Sequence, residues 1–242
     1  MQGSFQYLII GNGRVARHMK HYLALLNLPA LHWHRQYSLD DLHVKLTHST
    51  HVLLLINDDA IVDFHQQYLA NDNHLCLHFS GSLLCTSIIG AHPLMTFAHE
   101  LYSLATYQSI PFILDEKAPE FTCILPGLNN PHARIKAAQK AKYHALCVMA
   151  GNFSCLLWQK LFKTLENEFN INANYAKPYL TQITENLLKN PDSILTGPLV
   201  RGDKKTIQRN LQALKADPFH LIYDSFVACY QTLERSENDE HL

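Results

Sequence analysis

The residues best suited to chemistry near the start of the chain form the run Gly11-Asn12-Gly13-Arg14-Val15-Ala16. An apolar segment, 5–10, leads into this run, and an amphipathic segment, 14–26, leads out of it. A glycine turn between a strand and a helix is typical of dinucleotide binding, because free N–H groups at a helix N-terminus attract phosphates. Gly11 suits the sharp turn, Gly13 leaves room for a pyrophosphate, and Ala16 lets helix and strand pack closely. The alternative is an ordinary strand-to-helix turn without a ligand.

The residue that ends the second predicted strand indicates which dinucleotide such a site prefers. An acid there binds the ribose 2′-hydroxyl of NAD, whereas an arginine accommodates the 2′-phosphate of NADP. This chain has His34-Arg35-Gln36 at that point and no Asp or Glu before Asp40. Since a guanidinium binds phosphate bidentately, Arg35 predicts NADP as the cofactor, with Arg14 as a second cation beside the glycine loop. The alternative is that both arginines face solvent.

Four blocks of polar residues follow the glycine loop. They are His78-Phe79-Ser80-Gly81-Ser82, then His92-Pro93-Leu94-Met95-Thr96-Phe97, then Tyr143-His144-Ala145 through Asn152-Phe153, and finally Thr196-Gly197-Pro198 with Arg201-Gly202-Asp203. In this order, behind an N-terminal glycine loop, the blocks resemble a bacterial family that joins a Rossmann-like NADP-binding domain to a helical domain of unknown function. The resemblance covers nearly the whole chain.

That family looks like a relative of ketopantoate reductase, pyrroline-5-carboxylate reductase and the 6-phosphogluconate and 3-hydroxyacid dehydrogenases. The kinship implies a helical second domain that often dimerises, with the substrate held in the cleft between the domains. The 3-hydroxyacid dehydrogenase relatives carry a lysine four residues before an asparagine on the long helix. Here Lys140 stands four residues before His144, and Val148 four before Asn152. A lysine acting as acid or base is therefore not carried over.

Several side chains of these blocks are candidates for a substrate site. His144 and Asn152 share a helical face, so His144 is a candidate proton donor and Asn152 a candidate for orienting the substrate. Ser80 and His92 are expected on the sheet side of the cleft, because ligands bind beyond the carboxyl ends of parallel strands. Arg201, in a polar loop, is a candidate for binding a substrate carboxylate.

Each assignment has a structural alternative. His144 fits a hydrogen-bonded core histidine equally well. The run containing Ser80 fits an ordinary turn, and His92 with its following proline fits a purely structural role. Arg201 can pair with Asp203 instead of a substrate.

The elements that must position these residues alternate in the first half of the chain. Apolar runs predict strands at about 5–10, 30–34, 51–56 and 74–79, with shorter candidates at 88–94 and 111–115. Helices are predicted between them, one opened by a capping box at Ser38 and one capped by 57–59. The alternation predicts an α/β fold with a Rossmann-like, doubly wound parallel sheet.

The second half of the chain is predicted to be all-helical, similar to the C-terminal part of 6-phosphogluconate dehydrogenase. The breaker cluster Pro126-Gly127 and Asn129-Asn130-Pro131 divides a nucleotide-binding domain, 1–128, from a helical substrate and dimerisation domain, 129–242. Helices are predicted at about 132–169 (long or slightly broken), 177–189, 203–216 and 218–235, with a frayed tail from 236.

The composition favours a globular protein and excludes several classes. A formal net charge of −1 gives no electrostatic footprint for nucleic acid or an anionic membrane. No continuous apolar run approaches the ~20 residues of a membrane span, and no signal peptide precedes the first strand. The six scattered cysteines, with no C-x-x-C pair, predict buried thiols in a reducing cytoplasm. The histidines lack the spacing of a metal site, so no metal is expected.

The segment 147–162 is apolar around much of one helix, which predicts burial on several sides and hence a homodimer. The alternative is that neighbouring helices of the same chain cover it. The sequence thus favours an NADP-dependent reductase or dehydrogenase acting on a small, anionic metabolite. The alternative is a non-catalytic NADP(H)-binding sensor or interaction protein, which the missing lysine–asparagine pair favours.

Overall fold

The computed structural model describes residues 5–70, 73–192 and 194–239, with side chains up to residue 236. The chain forms two compact units, Met1–Gln159 and Lys160–Leu242.

A seven-stranded sheet organises the first unit, as the alternating sequence predicts. Its strands are β1 (Tyr7–Ile10), β2 (Ala30–Trp33), β3 (His51–Leu54), β4 (Leu75–His78), β5 (Ile89–Pro93), β6 (Phe112–Asp115) and β7 (His132–Ile135). Their spatial order is β2-β1-β3-β4-β5-β6-β7. All neighbouring strands are parallel except β5 and β6, which are antiparallel.

Helices cover both faces of this sheet. Those of the first unit are α1 (Arg14–Leu25), α2 (Leu39–Thr47), α3 (Asp58–Tyr68), α4 (Leu104–Ser109), α5 (Phe121–Ile124) and α6 (Ala137–Val148). Because side chains alternate along a strand, Tyr7 and Ile9 pack into a cluster that includes α1, whereas Leu8 and Ile10 pack on the opposite face with α2 and α3. The predicted doubly wound α/β class is confirmed.

The N-terminus of α2 follows from its sequence. Ser38 is extended, and its side-chain oxygen accepts a hydrogen bond from the N–H of Asp41 at 3.1 Å. This bond satisfies one of the free donors of the first turn, as the predicted cap requires.

The prediction that a helix begins at about His132 is wrong. Residues His132–Ile135 form β7, which pairs in parallel with β6, and the helix begins at Ala137. The four residues are mostly exposed and without strong local preference, so pairing with the open edge of β6 decides their conformation. The sheet thus continues beyond residue 128, and the predicted domain boundary there stays a prediction.

One long helix with a local break follows, as predicted. α6 runs into a π-helical turn, Met149–Phe153, and then into α7 (Ser154–Asn167). This helix, Ala137–Asn167, is long and apolar enough to cross a membrane, and no other helix among the described residues is. Its most apolar stretch is not buried. It contains no continuous apolar run long enough for a span, because polar residues are interspersed. One such helix is weak evidence for a span, and the absence of a membrane partner stays a prediction.

The remaining elements are helical. They are a 3₁₀ turn (Ala173–Ala176), α8 (Lys177–Lys189), α9 (Lys204–Ala213) and α10 (His220–Asp239). α8 has the predicted bounds, and α9 is capped by Asp203, whose carboxylate accepts from the N–H of Thr206 at 3.1 Å. α10 continues into the segment predicted to fray, and 240–242 lie outside the described residues.

Candidate functional site

The parallel strands place the ends of β1 to β5 along one edge of the sheet. The glycine loop follows β1, Arg35 follows β2, Asn57 follows β3, and the run that begins at Ser80 follows β4. This carboxyl edge is where open α/β sheets bind ligands. The predicted cofactor residues and the sheet-side substrate residues therefore lie on the same edge.

Gly11 takes a conformation that only glycine adopts easily. Its φ is +129°, and a Cβ atom there would lie 2.2 Å from the carbonyl oxygen of Leu55. The Gly11 carbonyl accepts a hydrogen bond from Nε2 of His32 at 2.7 Å, which therefore carries the proton. Burial lowers the pKa of His32. Gly11 thus turns the chain sharply against β3, as the sequence predicts.

The start of α1 has the features of an anion site. Gly13 is the N-cap residue, and nothing lies within 4 Å of the position its Cβ would take. Asn12 and Arg14 are exposed, Val15 packs against the core, and the first turn of α1 contains no acidic residue. The first turn of α1 thus leaves its N–H groups without an acidic residue of its own, and there is space beside Gly13.

Arg35 borders a surface cavity of about 610 Å³. The lining includes Arg35, Tyr37, Asn57, Asp59, Phe64 and Tyr68. Arg35 itself is exposed, and the ammonium of Lys45 lies 5.0 Å from the centre of the Tyr37 ring. At the point where β2 ends, the cavity thus combines a guanidinium and aromatic surfaces with the carboxylates of Asp59 and Asp63.

A pair of histidines closes over Gly81, the residue after Ser80. A Cβ atom on Gly81 would lie 2.4 Å from Cδ2 of His144 and 3.1 Å from Cδ2 of His92. The two imidazoles are perpendicular, with ring centres 5.9 Å apart. His144 is half-buried, and no hydrogen bond engages its ring nitrogens anywhere in the described parts of the chain. It therefore lacks the backbone partners of a structural core histidine.

Tyr143 holds His92 from the other side. Its hydroxyl lies 2.8 Å from Nδ1 of His92. Burial raises the pKa of Tyr143, and the neighbouring Cys147 raises it further. Burial also lowers the pKa of His92 to about 4, with nearby His144 and Lys140 contributing. Both groups are therefore neutral at physiological pH.

A buried ion pair fixes α6 one turn before His144. The ammonium of Lys140 donates hydrogen bonds to the carbonyl of Leu83 and to Oδ1 of Asp115, both at 2.6 Å. Oδ2 of Asp115 accepts from the N–H of Gly90 at 2.7 Å. Lys140 is 3% exposed, and a Cβ on Gly90 would lie 2.6 Å from the Asp115 carboxylate. The pair links α6 to β5 and β6, so it positions the turn that carries His144.

Beneath the histidine pair, His78 is fully buried at the end of β4. Neither of its ring nitrogens has a hydrogen-bond partner among residues 5–70, 73–192 and 194–239. Burial lowers its pKa to about 4, and the charge of Lys140 acts in the same direction. An imidazole in this position is neutral near pH 7.

The Ser80 hydroxyl is engaged inside the protein. It donates to the carboxylate of Asp58 at 2.5 Å and accepts from the N–H of Leu83 at 3.0 Å. Ser80 is 7% exposed. These bonds shape the turn after β4 and thereby present Gly81 to the histidines, while its predicted contact with substrate stays a prediction.

The two remaining predicted residues, Asn152 and Arg201, come from later parts of the chain. The π-helical turn Met149–Phe153 changes the helical register after Val148, so spacing in multiples of four no longer keeps Asn152 on the face of His144. Asn152 is exposed. Arg201 belongs to the second unit, where its N–H donates to the carbonyl of Gly197 at 3.2 Å. Both assignments stay predictions.

Sequence reasoning gave no role to several residues that build this site. Tyr143 directly precedes His144 in one polar block, and Gly81 directly follows Ser80 in another. Only this proximity to candidate residues could have pointed to them. The position of Lys140, four residues before His144, does not match the lysine–asparagine pair of the dehydrogenases, and nothing in the sequence pairs Lys140 with Asp115. No group of three or more metal-ligating side chains occurs in the described part of the chain.

The fold and the residues at the carboxyl edge of its sheet define the class of protein. It has a Rossmann-like sheet followed by a C-terminal helical region. A model of the domain of unknown function DUF2520 matches residues 115–236, half of the chain, and the chain belongs to this family. The resemblance inferred from the sequence blocks is thereby confirmed. A comparison with curated proteins finds no significant match.

Solved structures share the fold over nearly their whole length. A Bacteroides fragilis protein, to which an NADP oxidoreductase activity is ascribed, is 17% identical with a TM-score of 0.73, covering 96% of this chain and 97% of that one. An imine reductase from Streptomyces aurantiacus is 12% identical with a TM-score of 0.62, covering 94% and 93%. Pyrroline carboxylate reductase from Plasmodium falciparum, with NADP bound, is 12% identical with a TM-score of 0.53, covering 93% and 96%. At such identities the likeness establishes the fold alone.

Proposed function

We propose that the protein is an NADP-dependent oxidoreductase that transfers a hydride between NADP(H) and a small metabolite. The observation that carries the proposal is the pair of imidazoles, His92 and His144, over Gly81 at the carboxyl edge of the sheet. The named activities of structures with the same fold support it, since they include an imine reductase and a pyrroline carboxylate reductase with NADP bound. We also propose an anionic substrate, with Arg201 as its carboxylate ligand.

The residues at the edge fit NADP. The open space at Gly13 and the uncompensated start of α1 suit a pyrophosphate, with Gly11, Asn12, Arg14 and Val15 forming the rest of the loop. Arg35 and the cavity beside it suit a ribose 2′-phosphate and an adenine ring. The bound nicotinamide would supply the hydride chemistry, while the protein orients the substrate and moves a proton. In this scheme His144 is the proton donor.

The Arg35→Ala variant tests the choice of cofactor. Loss of one charge-assisted phosphate contact costs about 1.5–3 kcal/mol, so NADPH affinity should fall by roughly 10- to 150-fold while NADH affinity changes little. Titrations followed by nucleotide fluorescence measure both dissociation constants. Arg235→Ala, at an exposed position of α10, removes the same charge and should leave both affinities unchanged. Equal losses for the two nucleotides would contradict the assignment of Arg35.

We further propose a homodimer formed through the long helix. Four large apolar side chains of the long helix are about half exposed and make up its apolar stripe, namely Leu146, Met149, Phe153 and Leu156 at 54%, 52%, 51% and 47%. Such a stripe is the type of surface that a second helix covers. A second copy of the chain is the proposed partner.

Light scattering tests the dimer, and the expected mass is twice the 27.7 kDa of the chain. Phe153→Glu places a charge in the stripe and should give a monomer, because burying an unpaired charge is costly. Val44→Glu serves as the control, since Val44 is also exposed, at 58%, but stands outside the stripe. A monomer mass for the unaltered chain at all concentrations would overturn this proposal.

The prediction that the cysteines are buried is wrong for most of them, since only Cys76 is buried and Cys123, Cys155 and Cys229 are exposed. The proposed location is the cytoplasm, where these six free thiols would stay reduced. A second candidate function is non-catalytic binding of NADP(H), which the exposed position of Asn152 and the absence of the lysine–asparagine pair favour. A panel of small carbonyl and imine compounds, assayed by NADPH oxidation, separates the two. NADPH binding without turnover on any compound would favour the sensor.

A further inference from the structure

The imidazole of His92 is held so that one nitrogen remains available. Nδ1 lies 2.8 Å from the Tyr143 hydroxyl, and the Cδ2 edge lies against Gly81. Nε2, on the remaining side of the ring, has no hydrogen-bond partner among the residues that the structure describes, and the side chain is half-buried rather than enclosed. This nitrogen is therefore the atom of His92 that a ligand can reach.

The bonds of Tyr143 decide which nitrogen carries the proton. Its hydroxyl lies 2.8 Å from Nδ1 of His92. A phenol O–H is a good donor and an unprotonated imidazole nitrogen a good acceptor, whereas a phenol oxygen is the poorer acceptor for an imidazole N–H. The favoured arrangement therefore has Tyr143 donating to Nδ1. In a neutral imidazole this leaves the proton on Nε2.

We infer that His92 donates a hydrogen bond from Nε2–H to the reacting oxygen of a carbonyl substrate, and that Tyr143 is the positioning residue that fixes this tautomer. This inference rests on the proposed oxidoreductase function and adds the class of substrate. Because burial lowers the pKa of His92 to about 4, the imidazole remains a neutral donor at physiological pH.

A neutral N–H donor suits a ketone or aldehyde better than an iminium ion. Reduction adds a hydride to the carbonyl carbon, the π electrons move to oxygen, and a proton completes the alcohol; NADPH is oxidised to NADP⁺. The negative charge that develops on oxygen strengthens the bond from Nε2–H. An iminium nitrogen is already protonated and offers no lone pair, so the same N–H would repel it.

The two histidines then have separate tasks. His92 stabilises the developing oxygen charge, and His144, whose Cδ2 edge faces the same glycine, delivers the proton. A perpendicular arrangement with 5.9 Å between ring centres lets both imidazoles approach one atom of a bound ligand from different directions.

The tautomer is measurable without any turnover. Nitrogen-15 NMR of the histidine rings in the full-length protein near pH 7 should show the His92 signals of an Nε2–H tautomer, assigned by their loss in His92→Gln. Tyr143→Phe should shift these signals toward a mixture of tautomers. Tyr175→Phe, at a residue 77% exposed, should leave them unchanged. An Nδ1–H tautomer in the unaltered protein overturns the inference.

Activity tests the substrate class. NADPH oxidation should be observed with ketones or aldehydes and not with cyclic imines of matched size. His92→Leu should lower carbonyl turnover by about 10²–10³-fold with NADPH affinity unchanged. His92→Gln, whose amide N–H reaches a position near that of Nε2–H, should restore part of the loss. Tyr143→Phe should lower turnover by roughly 3- to 10-fold, the effect of one neutral hydrogen bond.

The possible outcomes distinguish a failure of the inference about His92 from a failure of the proposed oxidoreductase function. Turnover of imines but not of carbonyls would overturn the inference about His92 while supporting an NADPH-dependent reductase. Equal turnover by His92→Gln and His92→Leu would overturn the role of the Nε2 donor. A failure of the unaltered protein to bind NADPH would overturn the proposed function itself, and with it the assignment of a substrate class.

Discussion

Replacement of His144 by alanine is expected to lower turnover by about 10²–10⁴-fold, the usual effect of losing a general acid, and to leave NADPH binding intact. The reason is that its ring nitrogens have no partner within the described chain, whereas the ring lies directly over Gly81 at the ligand-binding edge. Steady-state rates with a reducible carbonyl compound, together with an NADPH titration, provide the measurement.

His43→Ala is the matched control for this variant. His43 is an exposed residue of α2, so its replacement removes an imidazole without touching the carboxyl edge. Turnover by this control should equal that of the unaltered protein. If His144→Ala retained full turnover, or if it lost NADPH binding in parallel with activity, the role of His144 as proton donor would be contradicted.

Much of the sheet could be predicted because parallel strands covered on both faces are nearly uniformly apolar. All four residues of β1 and three of the four in β3 are buried, and their sequence runs show this directly. β7 was missed for the opposite reason. Its residues are largely exposed, and its conformation depends on pairing with β6 rather than on any local pattern.

The candidate site likewise contains residues that could be predicted from local sequence and contacts between distant residues that could not. Gly11 and Arg35 could be placed at the carboxyl edge because each directly follows a predicted strand, which the chain order reveals. The contact of Tyr143 with His92 joins residues 51 positions apart, and that of Lys140 with Asp115 joins residues 25 apart. Nothing in one sequence pairs such residues. Likewise, the residue types in Met149–Phe153 do not distinguish a π-helical turn from an α-helical one, so the shift in the register of Asn152 could not be predicted.

Stability of the first unit depends on the buried pair that positions His144. In Lys140→Met the Asp115 carboxylate loses its counter-charge and the Leu83 carbonyl loses its donor. Removing one partner of a buried pair typically costs 3–5 kcal/mol. The side chains are 4% and 26% exposed, so Asp115 keeps some contact with water, and we expect a loss at the lower end, about 3 kcal/mol.

Urea unfolding followed by tryptophan fluorescence measures this loss in the first unit, which contains both Trp33 and Trp158. Lys45→Met is the control, since it breaks the partly exposed i,i+4 pair with Asp41, which is worth only about 0.3–0.5 kcal/mol. Adding Asp115→Asn to Lys140→Met should recover part of the loss, because the amide removes the unpaired charge and its oxygen still accepts the Gly90 N–H. A loss in Lys140→Met no larger than that in Lys45→Met would mean that other contacts position the turn carrying His144.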